Sequence, residues 1–130
     1  MTNPDEKENI LVVDDSLSIR KYLTGLLSGK GFMIEAAKNG YEALNILNNK
    51  TFDVIITDLE MPQVSGYELI ETVRLDEKIS DIPIIVLTGR ASENFRNLTT
   101  KLGADAYIIK PFKDQELFDE IGKYIRYDEK

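Results

Sequence analysis

The sequence predicts an α/β fold: a doubly wound, five-stranded parallel sheet with helices on both faces. Three observations lead there. The short apolar runs are continuous rather than alternating, as in "DVIITD" and "IPIIVLT". Strands of that kind are covered on both faces, which is the condition of a parallel sheet. Segments with a helical repeat lie between the runs, so strand and helix alternate along the chain. At 130 residues the chain suits one domain with a single substantial core.

Taken in order, "ILVVDD" (Ile10–Asp15) is the first strand. Ile19, Tyr22, Leu23, Leu26 and Leu27 form a helical stripe closed by Gly29 and Gly31. "FMIEAA" (Phe32–Ala37) is a weaker strand, followed by the stripe Ala43, Leu44 and Leu47. "DVIITD" (Asp53–Asp58) is the third strand. The next helix shows Leu69, Ile70 and Val73 on one face, with Ser65 and Glu68 at capping-box spacing. "IPIIVLT" (Ile82–Thr88) is the fourth strand. The segment from Ala91 to Leu102 offers only Ala91, Phe95, Leu98 and Leu102 among polar residues, and is expected to be the least firmly anchored helix. "AYIIKP" (Ala106–Pro111) is the fifth strand, and Leu117, Phe118, Ile121 and Ile125 mark the last helix.

Composition narrows the function. The chain has no histidine and no cysteine, which excludes a Ser-His-Asp triad, a histidine proton shuttle, disulfides and a zinc-thiolate site. Its net charge is -7, and an acidic domain repels a phosphate backbone, so no nucleic-acid partner is expected. No apolar run approaches the roughly 18 residues of a membrane span. The N-terminal "MTNPDEKEN" lacks a basic patch and an apolar core, so no secretory signal is read there.

Polar residues stand at the strand ends. Asp14 and Asp15 end the first strand, Asp58 the third, Thr88 the fourth and Lys110 the fifth. Alone, "DDS" is a common helix start, Thr88 an ordinary strand residue and Lys-Pro a turn. In a parallel sheet, however, all C-terminal ends lie along one edge, where ligands bind at the topological switch point. Two like charges 4 Å apart repel by about 4 kcal/mol at an effective dielectric near 20. Three carboxylates therefore need cations. Lys110 supplies one charge, and all-oxygen ligands suit a hard divalent ion, Mg2+ better than Ca2+. A carboxylate in such a site can act as a nucleophile toward phosphorus.

These residues resemble the response-regulator receiver domain of two-component signalling, of the chemotaxis-response-regulator kind. The likeness runs from Asn9 to Arg126. It rests on Asp14-Asp15, on "DLEMPQVSG" with Asp58, Pro62 and Gly66, on "LTG" with Thr88, and on "GADAYIIKPF" with Gly103, Tyr107, Lys110 and Pro111. The resemblance implies the flavodoxin-like strand order 2-1-3-4-5. It implies that Asp58 is the phosphoacceptor, taking its phosphoryl group from a phosphohistidine of a histidine kinase or phosphotransfer protein. Mg2+ would be held by Asp15 directly, Asp14 through water, Asp58, and the backbone carbonyl of Glu60. Thr88 and Lys110 would contact the phosphoryl oxygens, Thr88 and Tyr107 would form the switch, and the Lys110-Pro111 bond would be cis. Glu60 and Arg90, each two residues beyond a site residue, would form a pair at the pocket rim and tune the lifetime of the phosphoryl group. The output would be a conformational change of the face made by the fourth helix, fifth strand and fifth helix, read by a downstream protein. A cytoplasmic domain, monomeric in isolation and catalysing only its own phosphorylation and dephosphorylation, is implied. Residues 9–126 would be the receiver domain, 1–8 a flexible segment and 127–130 a tail, with no effector domain after the last helix.

Two alternatives stay open at this point. A haloacid-dehalogenase-type phosphohydrolase also uses Asp, Thr, Lys and Mg2+, but would need an acid two residues after the nucleophile; Glu60 stands there instead of Asp. A receiver-like scaffold that works unphosphorylated would fit the loss of a pocket residue, and none is lost. "SGKGF" lacks the spacing of a phosphate-binding P-loop.

Overall fold

The computed structural model describes residues 8–125. The expected N-terminal segment, apart from Glu8, and the expected tail 127–130 lie outside the described residues. Five strands, β1 (Asn9–Val13), β2 (Met33–Ala37), β3 (Val54–Thr57), β4 (Ile84–Thr88) and β5 (Ala106–Ile109), alternate with α1 (Leu17–Ser28), α2 (Gly40–Leu47), α3 (Gly66–Leu75), α4 (Glu93–Leu102) and α5 (Asp114–Ile121). All strand pairs are parallel and the order is β2-β1-β3-β4-β5. Pairing puts Val13 beside Thr57 and Thr88 beside Ile109, so the residues that follow these strands share one edge.

Strand periodicity splits the core in two. Ile10, Val12, Val54, Ile56, Ile85 and Leu87 pack with Leu23, Leu27, Leu117, Phe118 and Ile121 of α1 and α5. Leu11, Val13, Ile55, Ile84 and Val86 pack with Ala43, Leu47, Leu69, Ile70 and Val73 of α2 and α3. Successive side chains point to opposite faces, which is why the runs had to be apolar throughout. Ser16, Asn39, Ser65 and Ser92 cap α1 to α4 by accepting a backbone N–H.

Some expectations shift in detail. Tyr22 lies on the exposed part of the α1 stripe, edge-on to the Phe112 ring and donating to Asp114 at 2.5 Å. In α4 the buried residue is Thr99, whose hydroxyl is satisfied by the Arg96 carbonyl at 3.0 Å. Leu98 instead faces solvent at 46% exposure, and Ala91 precedes the helix. Phe95 and Leu102 pack only partly against the core. The last helix stops at Ile121, closed by Gly122, and Ile125 reaches the core through turns beyond it.

Candidate functional site

The site is built from chain segments that leave the sheet at one edge. Asp14 and Asp15 follow β1, Asp58 follows β3, and Lys110 follows β5, while Thr88 is the last residue of β4. The Lys110 ammonium donates to Asp14 Oδ2 at 2.7 Å and to Asp58 Oδ2 at 3.3 Å. The Lys110-Pro111 bond that follows β5 is cis. Asp14 is buried, and its Oδ1 accepts the Ser16 N–H at 2.9 Å. Arg20 donates to the Asp14 carbonyl at 2.8 Å, a support that sequence reading did not foresee. Asp58 Oδ1 accepts the Leu59 N–H at 2.7 Å, and the buried Thr57 hydroxyl donates to the Asp58 carbonyl at 2.8 Å.

Asp14, Asp15 and Asp58 each offer an oxygen within 4.8 Å of the others. One ammonium against three carboxylates leaves the cluster two charges negative. Its donors are all oxygen, so the group fits a hard divalent cation such as Mg2+. Burial pushes the Asp14 carboxyl above its usual range and the charge of Asp58 adds to this, although hydrogen bonds from Lys110 and Ser16 pull it back. For Lys110, burial pulls the ammonium down, but the Asp14 hydrogen bond and the charges of Asp14 and Asp58 outweigh it, so the group stands above its ordinary value.

Around this centre, Thr88 is buried and its hydroxyl oxygen accepts the Arg90 N–H at 3.4 Å. The Arg90 side chain pairs with Glu60 and lies 5.0 Å over the Phe95 ring. The Arg90 carbonyl accepts the Tyr107 hydroxyl at 2.6 Å. Arg90 thus joins residues near the carboxylates to Tyr107. Gly66 begins α3 against the Asp58 backbone, and a Cβ there would lie 2.0 Å from the Asp58 carbonyl oxygen. Sequence reading took Ser65 as a helix cap and Gly66 as part of the family motif, and foresaw no contact with Asp58.

This fold and edge cluster define a signalling domain of two-component systems. The chain belongs to the response regulator receiver domain family, matched over residues 10–122. Among curated proteins it is 41% identical over 122 residues to the probable transcriptional regulator ycf27 of Guillardia theta, covering 94% of this chain and 47% of that protein. The chain spans about half the length of the curated relatives it matches. Among solved structures it is similar to chemotaxis response regulator CheY4 of Vibrio cholerae, 32% identical with a TM-score of 0.86, covering 92% of this chain and all of that one. It is also 36% identical to response regulator TrrA of Thermotoga maritima, a structure in complex with Mg2+ and BeF, with a TM-score of 0.81 and 91% and 99% of the two chains covered. The family does not favour the phosphohydrolase alternative. Among the described residues no helix is long and apolar enough to cross a membrane.

Proposed function

We propose that Asp58 accepts a phosphoryl group and that the domain relays it as a conformational signal. The observation that carries this reading is the Lys110 ammonium, 2.7 Å from Asp14 and 3.3 Å from Asp58, at an edge with three carboxylates. An Asp58 oxygen attacks the donor phosphorus, the bond from phosphorus to the donor nitrogen breaks, and the donor keeps that electron pair. Lys110 neutralises charge on the transferring group, and the Thr88 hydroxyl donates to it. Mg2+, held by Asp14, Asp15, Asp58 and the Glu60 carbonyl, supplies two further positive charges when bound. The related T. maritima regulator, described with Mg2+ and BeF, supports both ligands here.

The chain contains no histidine, so the phosphohistidine belongs to a histidine kinase or phosphotransfer protein, on another chain or domain. Thr88 and Tyr107 form the switch, coupled through Arg90, and the α4–β5–α5 face carries the output to a protein target. The weak anchoring of α4 suits a movable element. Glu60 and Arg90 tune the phosphoryl lifetime. The domain, residues 9–126, is cytoplasmic and monomeric in isolation, and catalyses only its own phosphorylation and dephosphorylation. Its acidity argues against nucleic-acid binding by the domain itself. Longer relatives named transcriptional regulators leave that activity to a full-length protein.

Incubation with acetyl phosphate and Mg2+ tests the reading. Intact mass should rise by one phosphoryl group in the parent and not in Asp58→Asn. An equal rise in both would overturn Asp58 as acceptor. No rise in either would favour the unphosphorylated scaffold.

A further inference from the structure

The segment joining β3 to α3 carries Asp58 at one end, and two of its residues have left-handed backbones without being glycine. Gln63 has φ 51° and Val64 φ 64°. Such values are uncommon, and for a β-branched residue exceptional, so the surroundings must hold them. Those surroundings are the first residues of α2. The Gly40 N–H donates to the Val64 carbonyl at 3.0 Å and the Tyr41 N–H to the Gln63 carbonyl at 3.3 Å. Asn39 Nδ2 donates to Gln63 Oε1 at 3.1 Å, while Asn39 Oδ1 accepts the Glu42 N–H at 2.8 Å and caps the helix. Nothing larger than glycine fits at 40, where a Cβ would lie 2.4 Å from the Val64 carbonyl oxygen. At the other end of the segment, the Gly66 N–H donates to the Leu59 carbonyl at 2.8 Å. Residues 60 to 62 are therefore strung between two fixed points.

We propose that the N-terminus of α2 positions the phosphoacceptor loop, with Asn39 as its positioning residue. Through Gln63, Asn39 sets the path of residues 59–65 and with it the affinity of the aspartate cluster for Mg2+. This rests on the Mg2+ reading above. A helix cap needs only an acceptor, which serine supplies as well as asparagine. Asn39 is 4% exposed, and its amide also supplies a donor, which is spent on the loop.

The test is an MgCl2 titration of the whole chain, read by the backbone amide shifts of Leu59 and Gly66, beside thermal midpoints. Asn39→Ser keeps the cap and loses the reach to Gln63. Gln63→Ala removes the loop end of the contact and leaves α2 untouched. Each should weaken Mg2+ binding by about tenfold, the lower end of what losing an outer-shell partner costs, while both melt close to the parent. A parent that titrates beside variants of parental affinity overturns the inference alone. Loss in Asn39→Ser without loss in Gln63→Ala, or loss that only tracks unfolding, overturns it too. A parent whose Leu59 and Gly66 amides do not respond overturns the Mg2+ reading itself, and the inference with it.

Discussion

Replacing Gly66 by alanine should damage both the fold and the proposed phosphoacceptor, Asp58. The new Cβ would lie 2.0 Å from the Asp58 carbonyl oxygen, 2.8 Å from Leu59 Cα and 3.0 Å from the Asp58 carbonyl carbon. Non-bonded heavy atoms rest near about 3.5 Å, so the backbone has to open by more than about 1 Å. Every colliding atom is backbone, and β3 is held in place by the Asp58 N–H donating to the Val13 carbonyl at 2.9 Å. Overpacking of this kind costs about 3 kcal/mol at the upper end of its usual range. The better helix propensity of alanine gives back up to about 1 kcal/mol. A net loss of about 2 kcal/mol lowers the melting midpoint by roughly 6–10 °C in a domain of this size. A shift of about 1 Å at Asp58 also costs up to about 100-fold in phosphorylation rate. Gly25→Ala is the internal control. It lies exposed within α1 with nothing within 4 Å of its Cβ position, and should stabilise by about 0.5–1 kcal/mol. Calorimetry and a mass-resolved acetyl phosphate time course read both effects. A Gly66→Ala protein that melts at or above the parent midpoint and is phosphorylated at the parental rate would refute the reasoning.

Three further outcomes are expected. Lys110→Arg should keep most of the stability, because the charge is unchanged, yet lose the response to beryllofluoride seen in the Tyr107 ring shifts, since a planar guanidinium cannot replace a point contact; full switching would show that charge alone suffices. Arg74→Ala should cost about 2 kcal/mol in urea denaturation, because its guanidinium donates to the Gly103, Ser80 and Ile82 carbonyls and to Asp105, and part-buried carbonyls left without donors are costly. The raised Lys110 group contributes stability that is fully present below the ordinary lysine value of 10.5 and is lost as pH rises through the higher folded value. Lys110→Met should therefore flatten the alkaline loss of stability above that point; equal slopes in the two proteins would contradict it.

Much of the domain was legible in the chain. Continuous apolar runs announced strands buried on both faces, because a residue on either side of β1 or β3 meets a helix. Polar residues at the ends of those runs announced the site, because parallel strands bring their C-terminal ends to one edge whatever their order. What stayed hidden were contacts whose existence depends on distances of a few tenths of an ångström between remote segments. Asn39 and Gly40 drew no reading from the sequence, Ser65 read as a capping-box residue and Gly66 only as part of a motif. Only packing showed that Gly40 accommodates the Val64 carbonyl and Gly66 the Asp58 carbonyl. Leu98 and Thr99 were equally open to misreading, since Phe95 and Leu102 are compatible with either as the inward residue of α4. With so few apolar contacts to fix its rotation, the phase of α4 was decided by its neighbours and not by its own pattern. The sequence by itself determined which elements form and which charges gather at the sheet edge, because both follow from local periodicity and parallel topology. The tertiary structure alone decided how closely backbones approach around Asp58, because that depends on how whole helices seat against the sheet.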